Sequence, residues 1–304
     1  MEGYRGRFAP SPTGPLHFGS LVAAVGSFLA ARTRAGVWLV RIEDLDAPRA
    51  LPGAADEILR TLAACGMHWD GPVLYQSTRT DAYRGALERL RGQGAVYTCA
   101  CSRREIADSA VAGVEGRVYP GTCRERPAAR EGARALRVLT RGAAIAFDDA
   151  VQGRIAQDVE KEIGDFVVYR ADRVYAYQLA VVVDDAEQDI SDVVRGADLL
   201  ASTPRQIHLQ QLLGLPQPRY AHLPVAVNER GEKLSKQTLA PPVDGNDPAS
   251  ALVAALDFLG QRPPAELARA GAVDVWQWAV ANWRIERVPR LPAVGAVPAS
   301  ARPG

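Results

Sequence analysis

The sequence predicts an α/β fold built on a doubly wound, parallel sheet. A short strand pattern at residues 5–9 leads into a loop of Pro, Gly, Ser and His, and an apolar helix pattern follows at residues 21–35. The continuous apolar run at residues 37–42 is typical of a buried parallel strand. Further helix patterns cover residues 53–65 and 78–92. In such a domain, ligands bind beyond the carboxyl ends of the strands.

Composition narrows the class of protein. The 304 residues include 36 Lys plus Arg against 35 Asp plus Glu, and 47% are apolar, which excludes a polybasic binder and leaves enough apolar residues for a large core. Four Cys are too few for a disulfide scaffold and favour a reducing compartment. No run reaches the roughly 18 apolar residues of a membrane span. We therefore expect a cytoplasmic protein that does not contact a membrane.

The remaining chain divides into segments of different character. The α/β pattern resumes with an apolar run at residues 179–185, a helix pattern at 203–213 and an apolar run at 223–227. Between the two α/β stretches lies a Cys-, Gly- and Arg-containing region that we interpret as an insertion and not as a continuation of the sheet. The predicted division is 1–95 (first half of the catalytic core), 96–175 (insertion), 176–240 (second half), 241–288 (short helical appendage) and 289–304 (disordered tail).

The strongest motif is R-F-A-P-S-P-T-G-P-L-H-F-G-S, residues 7–20, between the first strand and the first helix. His17 and Gly19 come at the mouth of that helix, and Ser20 is the expected N-cap. Gly19 allows the backbone to approach a ligand closely, and a helix N-terminus offers N–H groups to phosphate. The motif therefore predicts a phosphate site.

A second motif, K-L-S-K-Q at residues 233–237, follows a predicted strand. The chain has only three Lys, and two of them, Lys233 and Lys236, lie in this motif. A compact ammonium on a flexible stem suits a polyphosphate that moves during reaction.

Together these two motifs resemble the signatures of the class I aminoacyl-tRNA synthetases, and the first has the form found in the glutamyl and glutaminyl branch. The likeness extends over residues 5–240. It implies a Rossmann-type catalytic domain that forms an aminoacyl adenylate from the Mg²⁺ complex of ATP and releases diphosphate. The implied catalytic residues are His17, Gly19 and Lys236. The implied ATP-binding residues are His17, Gly19, Ser20, Lys233, Ser235 and Lys236.

The amino acid substrate can be argued from charge. Glutamate carries two carboxylates and one ammonium; Arg7 and Arg195 can bind carboxylates bidentately, and Glu43 can bind the ammonium. The resemblance to glutamyl enzymes adds three residues to this pocket, namely Ala9, Ser11 and Tyr177.

Cys99, Cys101 and Cys123 supply three of the four ligands of a tetrahedral zinc site. Cys65 lies in a predicted helix and is interpreted as a buried apolar residue, so the residues alone leave the fourth ligand open. The C-x-C and Y-x-x-x-C arrangement resembles that of the short paralogues that attach glutamate to queuosine in tRNA(Asp). This resemblance implies that Tyr119 completes a single structural zinc site.

The acceptor follows from the same resemblance. Only about 65 residues follow Lys236, fewer than the anticodon-reading region of a full glutamyl-tRNA synthetase. The expected function is ATP-dependent activation of L-glutamate and its transfer, by a monomer, to the queuosine base in the anticodon loop of tRNA(Asp). The alternatives are a minimal glutamyl-tRNA synthetase that charges the 3′ end of tRNA(Glu), an RNA-independent adenylylating enzyme, and a non-catalytic descendant.

Two groups of residues are candidates for RNA contact. Arginines near the predicted zinc site can contact phosphates or simply face solvent; they are Arg103, Arg104, Arg117, Arg124 and Arg126. Trp276, Trp278 and Trp283 can stack on bases, but their spacing in a helical segment favours packing.

Overall fold

In the computed structural model, which describes residues 3–102, 104–106, 111–113, 116–124, 134–234 and 242–295, parallel strands form the centre of the molecule. The strands are β1 (Arg5–Phe8), β2 (Val37–Ile42), β3 (Leu74–Tyr75), β4 (Val96–Cys99), β5 (Val111–Gly113), β6 (Gly116–Val118), β7 (Ala135–Val138), β8 (Ala144–Asp149), β9 (Gly153–Asp158), β10 (Val167–Tyr169), β11 (Asp192–Gly196), β12 (Arg219–Leu223), β13 (Val225–Val227) and β14 (Ala293–Gly295). The helices are α1 (Phe18–Arg32), α2 (Ala54–Ala64), α3 (Thr80–Gly92), α4 (Val159–Glu162), α5 (Tyr177–Glu187), α6 (Thr203–Leu213), α7 (Pro248–Phe258) and α8 (Ala272–Asn282). The predicted α/β class is confirmed.

The central strands lie in the order β3–β2–β1–β11–β12. Strands β1, β2 and β3 pair in parallel, as do β11 and β12. The two groups meet where the Ser191 amide donates to the Arg5 carbonyl at 2.9 Å and the Arg5 amide donates to the Ser191 hydroxyl at 2.9 Å. The chain therefore places the carboxyl ends of β1, β2 and β11 along one edge.

Helix α1 covers this sheet and is almost wholly buried between residues 21 and 31. It begins at Phe18, and its N-cap is His17, whose side chain accepts a hydrogen bond from the Ser20 amide. The expectation that Ser20 caps the helix is wrong, because Ser20 already lies in the first turn. Gly26 lets α1 approach β12 closely, since a Cβ there would lie 2.4 Å from a methyl group of Leu223.

The region interpreted as an insertion contains two β structures. Strands β10, β7 and β4 form an antiparallel sheet, whereas the β8–β9 hairpin joins the edge of β12. Asp149 at the end of β8 pairs in parallel with Tyr220, and the Ala150 amide donates to the Tyr220 carbonyl at 2.9 Å. The expectation that residues 96–175 do not continue the sheet is therefore wrong at β8. The boundaries of that segment stay a prediction.

Two hydrophobic cores lie on the two sides of the molecule. The first joins α1, α2, α7 and α8 with β1 and β2, and all five Trp of the chain border it: Trp38, Trp69, Trp276, Trp278 and Trp283. The second joins α3, α5 and α6 with β7, β8 and β12, and its aromatic residues are Phe and Tyr. Neighbouring residues of one strand belong to different cores, as Leu39 and Val40 of β2 do, so the two cores lie on opposite faces of the central sheet.

The C-terminal helices dock on the first core. The Trp276 indole N–H donates to the Cys65 carbonyl at 2.7 Å, and its ring lies 4.7 Å from that of Phe28. Trp283 is 6% exposed. These contacts support the packing interpretation of the tryptophans. None of the described helices is long and apolar enough to cross a membrane.

Part of the predicted disordered tail is ordered. Strand β14 pairs in parallel with β13, and the Val225 amide donates to the Pro292 carbonyl at 3.0 Å. The expectation of disorder is wrong for residues 289–295, because pairing with a neighbouring strand satisfies backbone groups whatever the hydrophobic pattern. Residues 296–304 lie outside the described part of the chain.

Candidate active site

A cleft of about 910 Å³ opens at the carboxyl edge of the central sheet. It is bordered by α1, by the segment after β2 and by the first residues of α5. Ten of the predicted site residues line it, namely Arg7, Ala9, Ser11, His17, Gly19, Ser20, Glu43, Tyr177, Arg195 and Lys233. Ser235 and Lys236 lie outside the described residues.

At one end of the cleft, the N-terminus of α1 meets the segment that leads into the Lys-containing loop. The His17 ring is held by Ser20, whose amide lies 3.3 Å from Nδ1 and whose hydroxyl lies 3.1 Å from Nε2. A Cβ at Gly19 would lie 3.2 Å from the Leu234 carbonyl, so a larger residue would push the loop away. The positive end of the helix dipole makes this end suited to an anion.

Lys233 extends from this segment across the cleft. The backbone of Lys233 forms an antiparallel β-bridge with Val227, and the Leu234 amide donates to the Ala226 carbonyl at 2.8 Å. The Lys233 ammonium lies 2.5 Å from a carboxylate oxygen of Asp198. Asp198 was not among the predicted site residues.

Arg7 and Glu43, which line the cleft, belong to a buried cluster of arginines and carboxylates. Asp185 accepts from Arg7 Nε at 3.0 Å and Nη2 at 3.3 Å, and Arg41 Nη2 lies 2.8 Å from the same carboxylate. Arg41 also lies 3.5 Å from Glu43. Burial alone would raise the pKa of Asp185, but Arg7 and Arg41 hold it below its ordinary value. For Glu43 burial prevails and raises the pKa despite the same two guanidinium groups.

Arg195 is held by a buried polar network. Its Nε donates to His222 Nε2 at 3.0 Å, its Nη2 donates to the Thr203 hydroxyl at 2.8 Å, and its Nη1 donates to the Tyr177 hydroxyl at 3.3 Å. His222 Nδ1 lies 2.6 Å from Asp149. Burial, with the charge of Arg195, lowers the pKa of His222 to about 4, so the ring is neutral near pH 7.

These contacts occupy one edge of each of the two arginines that were expected to bind carboxylates bidentately. The Nε–Nη2 edge of Arg7 is taken by Asp185, and the same edge of Arg195 is taken by His222 and Thr203. Either guanidinium can therefore offer a ligand only its remaining N–H groups.

The sequence did not predict the groups that hold the site arginines, and the reason is physical. Asp185 and His222 contact these arginines directly, and Asp149 contacts His222. Asp149 and His222 are 73 positions apart, and Arg7 and Asp185 are 178 apart. No spacing rule connects such pairs. The only signal was local: Asp185 ends the apolar run at residues 179–185, which forms helix α5.

Outside the cleft, the three predicted zinc-ligating cysteines come together. The Sγ atoms of Cys99, Cys101 and Cys123 all lie within 4.8 Å of one another. The Tyr119 hydroxyl lies 3.4 Å from Cys99 Sγ and 3.5 Å from Cys101 Sγ, and Cys101 Sγ lies 3.4 Å from Cys123 Sγ. Ordinary zinc bond lengths give separations of about 3.8 Å between sulfurs and about 3.6 Å from sulfur to oxygen in a tetrahedron. The four donors fit such a site.

The arginines near this cluster were candidates for contact with RNA phosphates, and the structure describes only some of them. Arg124 is not available for phosphate, because it donates to both oxygens of Asp165, at 2.5 and 2.7 Å, and lies 2.9 Å from Glu160. Arg104 is exposed. Arg103 and Arg126 lie outside the described residues, as does the side chain of Arg117.

Comparison with known proteins decides the family. A family model for the catalytic domain of class I tRNA synthetases (E and Q) matches residues 4–270. The chain belongs to the class I tRNA synthetases. This synthetase is accordingly an ATP-dependent ligase, and its cleft lies where the resemblance of the two motifs implies.

Similar full-length proteins carry one name. The glutamyl-Q tRNA(Asp) synthetase of Dechloromonas aromatica is 62% identical to this synthetase over 94% of the chain and 96% of its own length. That of Aromatoleum aromaticum is 60% identical over 98% and 96%, and that of Pseudomonas aeruginosa is 53% identical over 94% and 96%.

Solved structures agree on the fold of this synthetase. A glutamate tRNA ligase from Elizabethkingia meningosepticum, solved with its amino acid, superposes with a TM-score of 0.78 at 24% identity, over 97% of this chain and 67% of that one. Methionyl-tRNA synthetase from Mycobacterium tuberculosis has a TM-score of 0.56 at 13% identity, over 84% and 64%.

Proposed function

We propose that this synthetase activates L-glutamate with ATP and transfers it to the queuosine base in the anticodon loop of tRNA(Asp). The choice of glutamate as the substrate rests on the charge of the cleft, where Arg7, Arg195 and Glu43 line one cavity. The acceptor is supported by the shared name of relatives that are 53–62% identical over nearly their whole length.

The first step needs positioning and charge stabilisation more than covalent work by the protein. An oxygen of the glutamate α-carboxylate attacks the α-phosphorus of ATP, and the bond to diphosphate breaks. His17 and the N-terminus of α1 would meet the phosphates, aided by Gly19 and Ser20. Lys233, Ser235 and Lys236 would stabilise the charge on the departing diphosphate, with Mg²⁺ accompanying the nucleotide.

The glutamate would be held by opposite charges. In this proposal Arg195 and Arg7 offer their remaining N–H groups to the substrate carboxylates, and Glu43 binds the ammonium. The positive charge of that ammonium favours the ionised carboxylate of Glu43. The glutamate pocket is completed by Ala9, Ser11 and Tyr177. In the second step a hydroxyl of the cyclopentene ring of queuosine attacks the acyl carbon, an ester forms and AMP leaves.

We further propose that Cys99, Cys101, Tyr119 and Cys123 hold one structural zinc ion. When bound, the ion would join β4 to the segment that contains Tyr119 and Cys123, and it would take no part in the reaction. We also propose that the enzyme acts as a monomer in the cytoplasm, with the five-segment organisation predicted from the sequence.

The test is transfer of radiolabelled glutamate in the presence of ATP. Three RNAs are compared: tRNA(Asp) with queuosine, tRNA(Asp) without it, and tRNA(Glu). We expect label only in the first, and loss of that label in Lys236→Ala. The matched control is Lys161→Ala, because Lys161 is 81% exposed and forms an ion pair with Asp158, the residue that precedes α4. Label in tRNA(Glu) would instead favour a minimal glutamyl-tRNA synthetase.

A further inference from the structure

The network behind Arg195 joins three strands through side chains that are almost completely buried. Asp149 ends β8, His222 lies in β12 and Arg195 lies in β11; their exposed fractions are 4%, 0% and 5%. Asp149 Oδ1 accepts from the backbone amides of Val151, Gln152 and His222 at 2.9 to 3.1 Å. Its Oδ2 is thereby left to face the imidazole at 2.6 Å.

These contacts fix the position of the single ring proton of His222. A guanidinium can only donate, so the Nε2 atom that faces Arg195 Nε must accept. The proton of the neutral ring therefore lies on Nδ1 and is donated to Asp149. A proton on Nε2 would set two donors against each other at 3.0 Å.

The tautomer determines how Arg195 is presented to the cleft. His222 and Thr203 engage the Nε–Nη2 edge, so Nη1 points toward Tyr177 and the cavity. Without an acceptor at His222, the guanidinium loses the Nε contact and is held only through its Nη atoms, so its plane can rotate. A misoriented guanidinium binds a carboxylate less well, because charge-assisted hydrogen bonds depend on geometry.

We infer that His222 and Asp149 are positioning residues for glutamate: Asp149 holds His222 as the Nδ1–H tautomer, and His222 orients Arg195 toward a substrate carboxylate. This inference rests on the proposed activation of glutamate. The charged or titratable groups that face the ring are Asp149, Arg195, Asp198 from the 3-10 helix after β11, and Tyr220, whose ring stacks at 6.2 Å.

The decisive variant is Asp149→Asn, which preserves shape and inverts the tautomer. The three backbone amides select the amide oxygen of Asn, so its NH₂ group faces Nδ1 of His222 and forces the ring proton onto Nε2. In glutamate-dependent exchange of diphosphate into ATP, we expect the KM for glutamate to rise about tenfold or more, as for loss of a hydrogen bond to a charged group, while the KM for ATP is unchanged.

Two further variants separate positioning from folding. His222→Gln can place its amide oxygen near the Nε2 position and should recover most of the glutamate affinity that His222→Leu loses. The matched control is His208→Gln, since His208 of α6 is also buried and donates from Nε2 to the Leu139 carbonyl at 2.7 Å, away from the cleft residues named above. We expect that control to leave the KM for glutamate unchanged.

The proton itself can be observed. The chain has four His, so ¹⁵N spectra of histidine-labelled protein resolve few rings, and the signal lost in His222→Gln assigns the one of interest. We expect protonated Nδ1 in the unaltered enzyme and protonated Nε2 in Asp149→Asn. If the unaltered enzyme shows exchange but Asp149→Asn keeps its KM for glutamate, the positioning role is wrong. If the unaltered enzyme shows no glutamate-dependent exchange, the proposed function fails instead.

Discussion

Replacing Asp185 with Asn tests the buried charge cluster to which the cleft residues Arg7 and Glu43 belong. The carboxylate accepts three hydrogen bonds from Arg7 and Arg41, at 3.0, 3.3 and 2.8 Å, and all three side chains are at most 8% exposed. Asn would keep one acceptor but turn an NH₂ group toward a guanidinium, and it would remove the negative charge shared by two cations. The substitution therefore leaves buried positive charge poorly compensated.

The magnitude follows from the partners that remain. Removing one member of a buried ion pair costs about 3 to 5 kcal/mol. Glu43 at 3.5 Å and Asp184 at 3.9 Å still face Arg41, which favours the lower end of that range. For a chain of this size, about 3 kcal/mol corresponds to a decrease of roughly 5 °C in Tm.

The assay is urea unfolding at pH 7.5 followed by circular dichroism, with a thermal melt beside it. The matched control is Asp148→Asn, because the Asp148–Arg154 pair is 78% and 61% exposed and should contribute less than about 1 kcal/mol. A Tm for Asp185→Asn equal to that of the control would refute the reasoning, since the Arg7–Asp185–Arg41 contacts would then contribute nothing to the folded state.

Three other outcomes are expected. Glu43→Gln should raise the KM for glutamate about tenfold or more in diphosphate exchange with the KM for ATP unchanged, because the substrate ammonium loses its carboxylate; an unchanged KM for glutamate would remove Glu43 from the pocket. Cys101→Ser should lower the zinc content measured by mass spectrometry of the purified protein, whereas Cys65→Ser should not; equal zinc in both would contradict the proposed ligands. Because the pKa of His222 is about 4 in the folded protein and about 6.5 when unfolded, the folded state binds fewer protons between those values. The free energy of unfolding should therefore fall by up to about 3 kcal/mol as the pH drops from 6.5 toward 4, and His222→Gln should remove this part of the pH dependence; equal slopes for the two proteins would contradict it.

Local patterns predicted much of the fold. The apolar run at residues 37–42 is strand β2, and the helix pattern at residues 203–213 is helix α6 with the same bounds. Residues of the first motif line the cleft because a strand, a turn and a helix N-terminus are adjacent in sequence. Short-range chemistry of this kind is encoded in the order of the residues.

Tertiary partners could not be predicted in the same way. Arg7 was expected to bind a substrate carboxylate, but a carboxylate from helix α5 already occupies its Nε–Nη2 edge. Strand β14 has no hydrophobic alternation, and its order depends on β13, some 70 positions earlier along the chain. In both cases the group that makes the contact lies far away in sequence, so composition and periodicity cannot predict it.

The unequal distribution of aromatic residues between the two cores gives each core its own optical signal. All five Trp border the core under α1, whereas the core under α3 and α5 contains Tyr83 and Tyr220 but no Trp among its described members. Tryptophan emission therefore follows loss of packing in the first core alone, and circular dichroism follows both. Unfolding curves from the two signals coincide if the two cores lose their packing together, and they separate if the core that contains α3 and α5 loses its packing first.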